Sequence, residues 1–136
     1  MAKAGGGIQK FARPPSAWTA NHAPAANTQA TATKAAAGTG RRNVCTSLTV
    51  MLVGGTTAPA AVQVDARLID GASGGSTILW EAALALQAVA GDRAGVALSG
   101  LHIEGSANTQ MTLELSAVGG ANTFESVAAV GHVVGS

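Results

Sequence analysis

The sequence predicts an all-β protein, an antiparallel β-sandwich preceded by an extended N-terminal arm, and three observations carry that prediction. Segments in which apolar and polar residues alternate recur along the chain, as side chains do on the two faces of a strand. Clusters of Gly, Ser, Thr and Asn separate them and supply the turns between seven or eight short strands. Charge divides the chain as well. Residues 1–42 carry Lys3, Lys10, Arg13, Lys34, Arg41 and Arg42 and no acid, whereas the remainder sets Arg67 and Arg93 against Asp65, Asp70, Glu81, Asp92, Glu104, Glu114 and Glu125.

Residues 1–29 read as the arm and residues 30–136 as the sandwich domain. Gly5–Gly7 is permissive backbone, and Pro14–Pro15 imposes extended conformation on its surroundings. Ile8, Phe11 and Trp18 nevertheless lie in this stretch, and a purely solvating tail rarely contains such side chains. They are expected to anchor the arm in a groove, with Lys10, Arg13, Arg41 and Arg42 selecting an acidic surface.

The strands follow in order. Ala30–Ala37 is a weak first strand, and Gly38–Gly40 turns the chain into the strongest one, Asn43–Val53. Strict alternation there puts Val44, Thr46, Leu48, Val50 and Leu52 on one face and Cys45, Ser47 and Thr49 on the other. Met51 and Val53 then make the outer face apolar at this end. Val62–Asp70 alternates with Val62, Val64, Ala66 and Leu68 inward, and GASGGS at 71–76 is turn chemistry. Thr77–Gln87 could be helical by composition, but its alternation favours a strand with Ile78, Trp80, Ala82, Leu84 and Leu86 on one face. Gly100 divides Ala94–Leu98 from Leu101–Glu104. Met111–Ala117 places Met111, Leu113 and Leu115 opposite Thr112, Glu114 and Ser116. Phe124–Val134 closes the chain, with Gly131 expected at a bulge. Met51, Val53, Leu79, Val127 and Val133 fall on nominally outer faces, which marks a contact surface.

Composition narrows the function classes. Much of the 47% hydrophobic content is alanine, which predicts a thin core helped by assembly with other chains. The apolar runs are too short to span a bilayer as helices, so no membrane partner is expected. The single cysteine, Cys45, rules out an intrachain disulfide and reads as a small residue lodged in a strand. His22, His102 and His132 are scattered without ligand spacing, so neither a metal nor another cofactor is expected. No phosphate loop or GxSxG elbow is present, and the strand carboxylates are expected to be solvated. No catalytic residues, and hence no enzyme, follow from the sequence. Six basic residues spread over 42 positions, above an acidic body, are too sparse for a nucleic-acid interface.

The phrases TATKAAAGTGRRNVCTSLTVMLVGGTTAPAAVQVDARLIDGASGGSTILW, LSGLHIEGSANTQMTLELSA and GGANTFESVAAVGHVVG carry a resemblance. In their order of strand, GGTTAP loop, strand, DGASG loop and Trp-bearing strand, residues 30–136 resemble the capsid cement, or decoration, proteins of tailed bacteriophages, those of podophages in particular. The resemblance implies a jelly-roll-like sandwich made in the host bacterial cytoplasm and bound to the outer surface of the virion. Its implied partners are the major capsid protein and a second copy of itself, as a homodimer. Under that reading Ile8, Lys10, Phe11, Arg13, Trp18, Arg41 and Arg42 meet the capsid, and Met51, Val53 and Leu79 form an outer-face contact. The alternative is a fibre, spike or receptor-binding module of the same particle.

Overall fold

Two antiparallel sheets lie face to face in the computed structural model, which describes residues 16–135. Nine strands run in order: β1 Trp18–His22, β2 Thr31–Lys34, β3 Arg41–Gly54, β4 Val62–Asp70, β5 Ile78–Leu86, β6 Arg93–Leu98, β7 Ile103–Glu104, β8 Met111–Leu115 and β9 Thr123–Gly135. The five-stranded sheet has the order β1-β9-β3-β6, with β7 also on β3, and the four-stranded sheet the order β2-β8-β4-β5. The antiparallel pairs are nested. β4 pairs β5, β3 pairs β6, β2 pairs β8 and β1 pairs β9, as in one long hairpin wound around the core.

The core lies between the sheets. Leu48, Val50 and Leu52 of β3, with Val127 of β9, meet Leu68, Leu84, Leu86, Leu113 and Leu115 of the facing sheet. Each such side chain contributes roughly 1.5–3 kcal/mol on burial. Ala30, Ala32, Ala66 and Ala129 fill the remaining positions, so the sheets are held mainly by leucine and spaced by alanine.

Four sequence expectations change. Strict alternation along β3 fails at Thr46, an extra residue between the pairs Cys45↔Gly131 and Ser47↔Val130. A bulge reverses the phase of a strand. Cys45, not Val44, therefore shares the core with Leu48, and the bulge lies in β3 rather than at Gly131. Gly131 instead permits close packing, since a β-carbon there would overlap the Val44 carbonyl and the Trp18 ring. Val127 and Val133 face inward, because Val127 pairs with the inward Val50 and the alternation of β9 runs unbroken from there to Val133.

The sandwich also begins earlier than expected. Trp18–His22, placed by the sequence in the arm, pairs with β9 from Trp18↔Gly131 to His22↔Val127. Trp18 is 7% exposed, belongs to the core cluster, and donates its indole N–H to the His132 carbonyl at 3.1 Å. The connection from β1 to β2 is fastened by Asn27 N–H to the Thr123 carbonyl, Thr31 N–H to His22 Nδ1, and Ala30 N–H to Glu125 Oε1.

Candidate contact surface

Strand alternation gives each sheet an outer face, and the two faces differ in chemistry. On the four-stranded sheet the outward row includes Gln63, Asp65 and Arg67 of β4 with Glu81 of β5. Arg67 reaches Glu81 at 3.1 Å and Asp65 at 3.7 Å. Glu114, expected to be solvated, is 1% exposed because the loop between β4 and β5 folds over it. Gly74 N–H donates to its Oε1 at 3.1 Å, and the Thr112 hydroxyl donates to the Gly71 carbonyl at 2.8 Å. This face carries charge and is partly covered by its own loop.

Among the described residues, the outer face of the five-stranded sheet carries no charge across its middle. Register brings together Thr19, Val130 and Ser47; then Asn21, Ala128, Thr49 and Ala97; then Ser126, Met51 and Gly95; then Phe124, Val53 and Arg93. Phe124 is 45% and Val130 40% exposed. They stand six residues apart on β9, about 20 Å. Across four strands this is an uncharged area of roughly 400 Å², apolar and neutral-polar side chains together, comparable in extent with the largest patch of a typical monomer, which is often functional. Charge returns only at the ends. Arg93 borders one end; at the other, Arg42 lies 3.6 Å from Glu104, whose second oxygen is 3.4 Å from His102.

At the Arg93 end a shallow cleft of about 570 Å³ is lined by Gly54, Gly55, Thr56, Ala90, Gly91 and Phe124. The loops that form it are tied by Gly54 N–H to the Asp92 carbonyl, Gly55 N–H to the Asn122 carbonyl and Gly91 N–H to the Gly55 carbonyl. Glycine lets the Phe124 ring lie against the backbone, where a β-carbon on Gly55 would stand 3.3 Å from the ring edge.

The residues singled out in the sequence are distributed unevenly over these surfaces. Met51 and Val53 share the uncharged face, with Met51 lying across Gly95. Leu79 is on the other sheet, as the extra residue between the pairs Leu68↔Trp80 and Ile69↔Ile78. Arg41 is exposed at the sheet end, and Arg42 is engaged by Glu104 and by the Gly105 carbonyl. Trp18 is buried in its own core. Ile8, Lys10, Phe11 and Arg13 lie outside the described residues. Phe124 and Val130, the exposed large hydrophobic side chains of the face, were not singled out, although alternation from Phe124 through Ser126 and Ala128 would have placed them together.

The buried reactive groups point away from surface chemistry. Cys45 is fully buried and donates to the Ser47 carbonyl, and burial pushes its thiol up to about 11. Glu125 is 2% exposed, and burial raises its carboxyl above the ordinary value, against the opposing effect of the Ala30 and Gly119 amides. Among the described residues no group of three or more His, Cys, Asp or Glu side chains is placed to hold a metal ion. Comparison with known proteins finds no family model that matches the chain and no curated protein that matches it.

Proposed function

We propose that this chain is a non-catalytic structural protein that docks on the outside of an icosahedral capsid and stabilises contacts between major capsid proteins. The observation that carries the reading is the uncharged outer face of the five-stranded sheet, bordered by charge only at its ends. An apolar or neutral centre with a polar rim is the usual anatomy of a protein contact. Burying Phe124, Val130, Met51 and Val53 would supply affinity. The rim residues Arg93, Arg41 and Arg42 would fix orientation against acidic capsid surface. Stabilisation then follows from mass action, because a protein that binds only the assembled shell favours that state over its dissociated subunits. Nested strand pairing supports the jelly-roll winding that the resemblance implied, an arrangement shared by viral capsid domains and lectins. Paired copies on the shell belong to the same reading.

Co-sedimentation with expanded, undecorated tailed-phage capsids tests it, comparing the full chain with one beginning at Ser16. A start at Ala30 would remove β1 and is unsuitable. Saturable binding by both chains, in many copies per particle, is the expected result and places the contact on the sandwich. Binding by the full chain alone moves the contact to residues 1–15. No binding by either, with the fold intact, overturns the capsid reading in favour of a fibre or receptor-binding module.

A further inference from the structure

A sheet that does not close leaves two edge strands, each presenting backbone N–H and C=O groups on one side. Here the edges are β1 on one side and β6 with the two-residue β7 on the other side of the five-stranded sheet, and β2 and β5 of the four-stranded one. They are not equal. β1 has five residues, β2 has four and ends in Lys34, and β6 has six and begins with Arg93. β5 has nine, ILWEAALAL, with no Lys, Arg or Pro and one charge, Glu81. Short length, lysine and proline are among the devices that keep edges from pairing; β5 uses none of these three, and its protection is limited to the single charge of Glu81 and a bulge at Leu79 near its start.

Its side chains repeat the pattern. Ile78 is 41% exposed, and Leu79 and Trp80 are partly buried, packed against the margin of the core. The bulge at Leu79 perturbs the start of the strand, which leaves Trp80–Leu86 as a regular run of seven. The middle of that run is Ala83, which is exposed.

We propose that β5 pairs antiparallel with β5 of a second copy, about a two-fold axis at Ala83, to join the two four-stranded sheets into one. Self-pairing suits this strand because the run is self-complementary in the sense a two-fold contact requires. Trp80 faces the partner's Leu86, Ala82 faces the partner's Leu84, and Ala83 faces its own copy. Glu81 stands opposite the partner's Ala85, four residues along the strand from the partner's Glu81. That is about 13 Å of strand, beyond a Debye length at physiological salt. The paired edge adds main-chain hydrogen bonds, the source of affinity in strand addition, and covers the half-buried Trp80. The joined sheet uses the charged layer of the sandwich, so both uncharged faces stay open. Two docking faces on one dimer raise avidity for a repetitive shell. This deepens the paired-copies part of the proposed function. Its test uses no capsid, so the two readings fail separately.

The experiment is sedimentation velocity on the full chain over a concentration series, with three variants at exposed positions of β5. Ala85→Lys places a cation opposite the partner's Glu81 and is expected to tighten the dimer, whereas Ala85→Glu is expected to loosen it. Each Kd should shift by about threefold or more, since two symmetric pairs change together. Ala83→Cys is expected to give a covalent dimer on mild oxidation. The native Cys45 is buried, so the unmodified chain should not cross-link. A monomer at every concentration overturns the proposal. So does a dimer whose Kd ignores both Ala85 variants, or one that Ala83→Cys fails to cross-link.

Discussion

The two outer faces of this sandwich are built on antiparallel strands with the same period-two alternation, yet one is charged and the other is neutral. On the four-stranded sheet Arg67 sits between Asp65 and Glu81, and a loop folds back to bury Glu114. On the five-stranded sheet the corresponding positions hold Thr, Ser, Ala, Val, Met and Phe. Backbone pairing does not require this difference, because either face would hold a strand equally well. A face meant for water is normally furnished with charge, and one that must shed water on docking is better without it. Which face lacks charge is therefore a more informative feature than the total, a formal net charge of only +1.

The comparison is sharpened first where the faces share their support. Trp18 stands on the inner side of the five-stranded sheet, against Gly131. Trp18→Ala should lower unfolding free energy by about 3–5 kcal/mol, read as a denaturant midpoint shift at unchanged slope. A loss below about 0.5 kcal/mol would mean that β1 is not part of the folded unit.

Next in size is the effect of charge on the neutral face. Phe124→Asp with Val130→Asp replaces two partly exposed strand side chains, so stability should fall by roughly 1 kcal/mol per site, from lost strand propensity, with the fold retained. Affinity for capsid should fall tenfold or more, since two carboxylates would have to be desolvated. Gln63→Ala on the opposite sheet, away from the β5 edge, should leave capsid affinity unchanged.

Between the faces lies Glu125, whose effect is predicted in direction. Its folded-state pKa is raised above the ordinary 4.5, so the folded chain holds this proton more tightly than the unfolded chain. The contribution to stability is complete below about 4.5 and is lost as pH rises from there through the folded-state value. Glu125→Gln keeps an acceptor for the Ala30 amide and removes the titration. The variant should match the parent in acid and exceed it at neutral pH, in melting temperatures taken across that range. A parallel pH dependence in both proteins would contradict the assignment. The smallest effect is expected from Arg67→Ala on the charged face, where partly exposed ion pairs are worth up to about 1 kcal/mol and weaken with salt.

Much of the fold was legible because period-two alternation and Gly-rich turns are local signals. β2, β4, β5 and β8 fall within the segments expected for them, β3 overruns its segment at both ends to span Arg41–Gly54, and the two short strands on either side of Gly100 are both present. What alternation cannot register is an inserted residue. Nothing in NVCTSLTV marks Thr46 as the extra one, and the phase of Val44 and Cys45 relative to Leu48 turns on it. β1 was hidden for a related reason: WTANH is too short and polar to stand out, and its partner β9 lies more than a hundred residues away. The burial of Glu114 depends on where the loop after β4 folds, which no local pattern records. The neutral face was partly legible through Met51 and Val53. Phe124 and Val130 needed only the same alternation carried one strand further.

The most direct test of the central claim is capsid occupancy of the Phe124→Asp, Val130→Asp double variant, measured beside the parent by co-sedimentation at equal concentration. Occupancy reduced tenfold or more in a protein that remains folded is the predicted result. Equal occupancy, with both aspartates in place on the outer face of the five-stranded sheet, would contradict it.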